Sequence, residues 1–498
     1  TYADFMVNIN KRIDDFTVVV NAGTSLSDNS SDLLGYGGPI RDTGVPNVFN
    51  VFDLDNAKKR TTQEGWEEMT QSIFASAEIG WKSMLYLTLT GRNDWASQLK
   101  GSNPTSFFYP SVGLSAVISE MVTLPKAIDY LKVRGSFSSV GTPYPRFLVQ
   151  PTYSYDPTKQ DWNAKTHYPI GKLKPERTKS WEVGLDARIL NDISLNLTYY
   201  RSNTYNQTFY ADLSLSSGYS NIPIQSGNIM NEGLEMSLGY NKQWKDFSFN
   251  TNYTLTWNKN RVKRLADGVY NYATGQPIQM PELSPLTYGH TDARLILRVG
   301  GSMGDVYGQR DLNGYILNEE GIGLAMENKE TYLGSILPKM NMGWSLGFGY
   351  KGVNLGMTFT GRFGGIVISE TQSVLDAAGV SKVSADVRDA GGVQINQSKV
   401  SAQTYYQTIQ GTAAYYTYSA TNVRLGELSL SYTLPKKWFD NKVGMTVGLV
   451  GKNLWMIYCK APFDPELTTS AASNFYQGFD AYMLPSTRNF GFNVKFQF

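Results

Sequence analysis

The chain has 498 residues, of which 18% are charged, 41% hydrophobic and 13% aromatic, with 32 Tyr, 47 Gly and a net charge of +2. No apolar run approaches the roughly 18 residues of a transmembrane helix, and the near-neutral charge gives no electrostatic case for nucleic acid. Cys459 is the single cysteine, so no internal disulfide forms, and His167 and His290 are the only histidines; no metal or other cofactor is indicated.

Taken from the N-terminus, apolar and polar residues alternate in about fifteen segments, the pattern of strands whose two faces meet different surroundings. They lie near 3–11, 15–23, 70–81, 84–94, 108–121, 129–141, 178–189, 192–206, 229–242, 247–260, 339–349, 353–364, 421–434, 442–456 and 487–498. Ile193, Leu195, Leu197 and Tyr199 alternate with Ser194, Asn196, Thr198 and Tyr200, and the 247–257 segment repeats the pattern. In the strand at 421–434, Val423 and Leu425 are out of phase with Leu428, Leu430 and Tyr432, which predicts a bulge near Gly426–Glu427. The last strand sets Phe490, Phe492, Val494, Phe496 and Phe498 against Gly491, Asn493, Lys495 and Gln497.

Connections alternate in length. Short turns near 12–14, 82–83, 123–128, 190–191, 243–246, 350–352 and 435–441 are interleaved with long loops near 24–69, 95–107, 142–177, 207–228, 261–338, 365–420 and 457–486. A soluble sandwich hides one face in a dry core and rarely sustains this over so many strands. A transmembrane barrel requires it in every strand, because its outside meets lipid and its lumen meets water. The expected fold is therefore all-β, a transmembrane antiparallel β-barrel in a bacterial outer membrane. Short turns and the C-terminus would be periplasmic and long loops extracellular. Residues 1–498 read as the C-terminal part of one barrel domain: an odd strand count puts Thr1 at the outer surface, with further strands expected before it. Phe496 and Phe498 read as a barrel-assembly signal.

Aromatics crowd the long loops. Tyr153, Tyr155, Trp162, Tyr270, Tyr405, Tyr406, Tyr415, Tyr416 and Tyr476 are the candidates for substrate contact, since aromatic faces suit both sugar C–H faces and peptide side chains. Arg92, Asp94, Lys132 and Arg134 read as lumen charges, facing neighbouring strands or a plug. Trp438 and Phe439, beside Lys436 and Lys437, read as interface anchors. No serine–acid arrangement accompanies either histidine, so catalysis is not expected.

Several stretches, in order along nearly the whole chain, resemble the SusC/RagA family of TonB-dependent transporters of Bacteroidetes. They are Gly91-Arg92-Asn93-Asp94-Trp95, Phe107-Phe108-Tyr109-Pro110-Ser111-Val112-Gly113, Leu131-Lys132-Val133-Arg134-Gly135-Ser136, Leu173-Lys174-Pro175-Glu176-Arg177-Thr178, Asn228-Ile229-Met230-Asn231-Glu232-Gly233-Leu234-Glu235 and Gly451-Lys452-Asn453-Leu454-Trp455. The resemblance implies a 22-stranded barrel with an N-terminal plug, both beginning upstream of this chain. It implies energy from TonB through that upstream part, a SusD-like surface lipoprotein as lid, and an oligosaccharide or oligopeptide as cargo. A siderophore, haem or cobalamin receptor and a passive porin are the alternatives. Where the family often has a calcium-like loop, Asp311-Leu312-Asn313-Gly314-Tyr315-Ile316 has too few carboxylates and reads as a plain turn.

Overall fold

The structure, a computed structural model, describes all residues except 43–47, 49, 102–103, 150–152, 157–160, 164–166, 169–172, 213–217, 266–274, 277–281, 318–323, 396, 468 and 470–473. One antiparallel sheet of fifteen strands forms a wall in which every strand lies beside its neighbour in sequence. The strands are β1 (Tyr2–Ile13), β2 (Phe16–Gly37), β3 (Arg60–Trp81), β4 (Leu85–Ala96), β5 (Phe107–Val117), β6 (Ile128–Thr142), β7 (Glu176–Ile189) and β8 (Ile193–Asp212). They continue as β9 (Asn221–Trp244), β10 (Phe247–Arg264), β11 (Met340–Tyr350), β12 (Val353–Phe363), β13 (Asn422–Leu434), β14 (Gly444–Cys459) and β15 (Asn489–Gln497). β1 and β15 stand at the two ends of the sheet.

All fifteen expected strands are present in the expected order, and the differences lie at their ends. β2 and β3 stay paired from Phe16↔Trp81 to Gly37↔Arg60, so most of the expected 24–69 loop is hairpin. Beyond Leu26 the outward positions become Asp28, Ser30 and Asp32. The alternation fades there because both faces meet water, while backbone pairing continues. β8 and β9 likewise extend past 206 and start before 229. β5 stops at Val117 and a single helical turn, Ile118–Met121, replaces the expected strand end.

The register explains the two faces. Ile73, Leu87, Leu89, Val112 and Leu114 share the outward side of β3–β5, whereas Ser76, Glu78, Thr88, Thr90 and Ser111 share the inward side. Ile73, Leu114, Val183 and Leu449 are more than half exposed, an apolar surface too extensive for water. Exposed aromatics edge this band. Trp81, Trp244, Tyr350 and Trp438 lie near the short turns, and Trp95, Phe108, Trp181, Trp257 and Trp455 lie toward the loops. Along β4 the path from Leu85, opposite Trp81, to Trp95 is about 33 Å at ~3.3 Å per residue. Tilted by ~40°, that matches an apolar band about 25 Å tall.

The turns are tight. Lys351 and Gly352, the two residues between β11 and β12, both have positive φ, the twist-matched geometry for a two-residue hairpin. Gly352 is needed there because a Cβ would come within 2.8 Å of the Thr433 carbonyl oxygen. In β13 the register against β12 slips between Glu427 and Leu425, which makes Gly426 the bulge and restores one outward phase to Val423–Tyr432.

At the opposite end from the short turns, three long connections fold into a single loop body with its own dry core. The first contributes four strands, Glu282–Thr287, Arg294–Arg298, Asp305–Leu317 and Leu324–Ser335. The 311–316 segment, expected as a turn, falls within the third strand as an irregularity: the register jumps from Arg310 opposite Asn328 to Tyr315 opposite Met326, and the ladder resumes only at Tyr315 and Ile316. The second supplies helices α1 (Glu370–Ala377), α2 (Lys382–Asp389) and α3 (Ala402–Ile409), each started by a serine side chain (Ser369, Ser381, Ser401) that accepts a backbone N–H of the first turn. The third joins through a parallel pairing of Ile368 with Phe479. Tyr288, Leu295, Leu297, Val306, Ile336, Ile368 and Phe479 fill the common core and pack on Ile229 and Val262 of the wall.

Candidate functional site

The inward face of the wall carries ion pairs braced by neighbouring strands. Arg92 donates from Nε to Asp94 Oδ1 at 2.7 Å and from Nη2 to Ser72 Oγ at 2.7 Å, and Tyr109 donates its hydroxyl to Asp94. Arg134 donates to Asp186 at 2.7 Å and to Thr198 at 2.6 Å, while Asn196 also donates to Asp186. Lys132 lies opposite Asp186 in register. It lines a cavity of about 450 Å³ against the wall with Glu78, Tyr86, Tyr130, Arg134 and Glu182. These charges are held by side chains on the next strand or the one beyond it, so they form fixed features of the inward face.

The loop aromatics divide in two. Tyr155 and Trp162 face each other across a short hairpin (Ser154–Asp156 with Asp161–Asn163), rings 5.3 Å apart and edge to face. Tyr155 is 50% and Trp162 63% exposed, and Tyr153 beside them is 58% exposed. Tyr405, Tyr406 and Tyr416 lie instead inside the loop body, packed with Ile395, Val400 and Ile409, and Tyr415 leans on Tyr416 with ring centroids 4.9 Å apart. Burial raises the phenol pKa of Tyr406 and Tyr416, and that of Tyr418 to about 12. Tyr476 meets the ring of buried Tyr288 edge-on. Tyr270, with Tyr272, lies outside the described residues.

Neither histidine belongs to a ligand cluster. His167 Nε2 is 3.4 Å from the Phe147 carbonyl oxygen, and the His290 backbone N–H donates to Glu370 at 3.1 Å. Among the described residues, no three His, Cys, Asp or Glu side chains converge as metal ligands.

The sequence reading missed a buried polar anchor. Arg424, on the inward face of β13, forms a bidentate pair with Asp464 (2.9 and 2.8 Å) and also donates to Asn422. Asn422 in turn donates to Glu466 at 3.0 Å. Burial alone would raise the Asp464 carboxyl, but the Arg424 guanidinium and the Glu466 backbone N–H hold it below the usual range. The proline-flanked run Pro462-Phe463-Asp464-Pro465-Glu466 is the signal for such a fixed carboxylate: prolines predispose the chain to one conformation. The pair ties the last long loop to the wall.

The molecule thus has an apolar outer face, a hydrogen-bonded polar inner face and a compact body of loops at one end. Comparison with known proteins agrees. The family model for the TonB dependent receptor-like β-barrel matches residues 3–454. TonB-dependent receptor P3 of Formosa agariphila is 25% identical over 467 residues, which cover 85% of this chain and 45% of that protein. TonB-dependent receptor SusC of Bacteroides thetaiotaomicron is 25% identical over 216 residues, 40% of this chain and 21% of that protein. Among solved structures, the RagAB peptide importer in its open-open state superposes with a TM-score of 0.74 at 18% identity, covering all of this chain and 54% of that one, a likeness of fold. The chain spans about half the length of the first curated relatives it matches. It belongs to the TonB-dependent receptor family, whose outer-membrane β-barrel its fifteen strands help to build.

Proposed function

We propose that this chain is the larger part of the barrel of an importer that takes up oligosaccharides or oligopeptides across the outer membrane. The observation that carries the reading is the pairing of a lipid-suited outer face with a polar inner face and a rigid, folded loop body at one mouth. A passive pore gains nothing from building such a body over its opening, whereas a capture-and-release importer needs a fixed surface on which cargo and lid can meet. The fold it shares with the RagAB peptide importer supports the same reading.

In this proposal the short turns and the C-terminus face the periplasm and the loop body faces outward. A plug and further strands, supplied by a part of the same protein outside this chain, face Arg92, Asp94, Lys132 and Arg134 and connect β1 to β15. TonB pulls on that part from the periplasm, and a SusD-like surface lipoprotein closes over the loop body. The exposed hairpin of Tyr155 and Trp162, with Tyr153, is the aromatic surface offered to cargo or lid. Mass spectrometry of the full-length protein extracted from native membranes tests this. Co-purification of a lipoprotein and a bound glycan or peptide supports the reading, and a lone protein that supports ungated diffusion contradicts it. Phe496 and Phe498, the end of the outward row of β15, serve as the assembly signal. Phe498→Ser should lower the folded protein recovered from outer membranes several-fold, and normal levels would remove that role.

A further inference from the structure

Two cavities adjoin in the loop body, and Gln407 of α3 lines both. One, about 580 Å³, is bounded by α2, the start of α3 and the ring of Tyr406, with Arg388 and Gln403 on its walls. The other, about 380 Å³, lies between α1, the end of α3 and the strand Asp305–Leu317, with Arg310, Glu370 and Gln410 on its walls. Each volume lies in the range of small-molecule sites, with room for at least one unit of a small oligomer.

The charged groups on these walls are unequally engaged. Each acid is held through one oxygen: buried Asp376 Oδ1 accepts from Gln372 at 2.7 Å and from Ser381, and buried Glu370 Oε1 accepts the His290 backbone N–H at 3.1 Å. The arginines are held more loosely. Among the described residues, Arg310 reaches only Thr412 at 3.5 Å and Asp292 at 4.0 Å. Arg388, with a side chain 62% exposed, reaches among the described residues only the Gly379 carbonyl at 3.4 Å and Asp389 at 3.8 Å. Among the described residues, the side-chain amides of Gln403, Gln407 and Gln410 make no hydrogen bond within the protein. The glutamine amides offer donors and acceptors alike, as sugar hydroxyls and peptide groups require, while a guanidinium with five N–H groups in a planar fork favours a carboxylate.

We infer that the two cavities form one extended site, joined at Gln407, for a short oligomer that carries a carboxylate, with successive units in the two cavities and the acid on Arg310. The inference rests on the import reading and narrows its cargo to an acidic oligomer. A sugar acid and a peptide C-terminus present the same group.

Calorimetry on the full-length protein from native membranes tests it with four probes: tetragalacturonate, its methyl ester, tetra-alanine and tetra-alanine amide. One free acid should bind about tenfold more tightly than its blocked twin, the worth of a charged hydrogen bond. The acid that does so tells sugar from peptide. Arg310→Gln should remove that preference, and Gln407→Ala should weaken binding about five- to tenfold with unchanged thermal unfolding, since its exposed amide holds nothing in the fold. Equal affinity for free and blocked forms, no binding of any probe, or unchanged affinity in both variants overturns the inference. Cellular uptake is measured in parallel with and without TonB. Uptake that ignores TonB counts against the import reading and leaves the binding result to stand or fall separately.

Discussion

Along the wall, Leu449 on β14 is 61% exposed, while in the loop body Leu295 and Ile336 are fully buried, although all three are ordinary aliphatic side chains. The wall turns its apolar groups outward and spends its polar groups inward on pairs such as Arg134 with Asp186. The loop body does the reverse, closing Tyr288, Leu297 and Phe479 into a dry centre and leaving Lys382 and Asp386 in water. One chain therefore folds against two solvents. The difference teaches that exposure alone has no fixed energetic meaning: its sign is set by what lies beyond the surface.

The contact between the two regions is where the largest single effect is expected. Arg424→Met leaves Asp464 buried without its cation and should destabilise the attachment of the last loop by about 3–5 kcal/mol. Proteolysis within 460–487 that remains as slow as in the parent would show the pair to be dispensable. The next effect separates the regions directly. Leu449→Arg should cost about 2–4 kcal/mol in lipid if it lies near mid-membrane. Val380→Arg, on a loop-body residue 68% exposed, should stay within about 0.5 kcal/mol. Unfolding titrations of the protein in bilayers measure both, and similar small costs would erase the distinction.

Acid gives the smallest and most specific contrast. Burial raises the Asp292 and Asp305 carboxyls in the loop body, so their folded forms bind a proton more readily than the unfolded chain. Their ionised state opposes folding, and that opposition eases as pH falls through the raised values. Asp464 is lowered, so its stabilisation is present above the ordinary carboxylate range and is lost as pH falls through the depressed value. Protection of core amides of the loop body, such as Leu295 and Val306 on their paired strands, should accordingly rise on mild acidification once the intrinsic pH dependence of exchange is divided out. The Arg424–Asp464 anchor should loosen only in stronger acid. Release of the anchor first would reverse the assignment.

The same contrast explains what could be read from the sequence. The fifteen wall strands were legible because lipid and water impose a period of two on each, as in Phe490–Phe498. The outer halves of β2 and β3 were not, since past Leu26 no apolar solvent enforces the pattern. The loop body left only local marks, the serines before α1, α2 and α3. Its core depends on partners far apart in the chain, such as Ile368 and Phe479, which no local pattern announces. Tyr405, Tyr406 and Tyr416 illustrate the consequence: an aromatic-rich loop looks the same in sequence whether its rings meet a ligand or one another. For the candidate site, Arg92, Asp94 and Arg134 were visible as charges on a barrel face, whereas Arg424 with Asp464 and the donors around Gln407 came together only through tertiary folding.

The two-solvent account is tested most directly by neighbouring positions on one strand. Leu430 and Ser431 of β13 point to opposite faces, outward and inward. In a Cys459→Ser background, Leu430→Cys and Ser431→Cys are each probed in intact outer membranes with a hydrophilic thiol reagent and with one tethered to an acyl chain. The hydrophilic reagent should label Ser431→Cys and spare Leu430→Cys, and the lipid-tethered reagent should do the opposite. Equal labelling of both positions by the hydrophilic reagent would contradict the account.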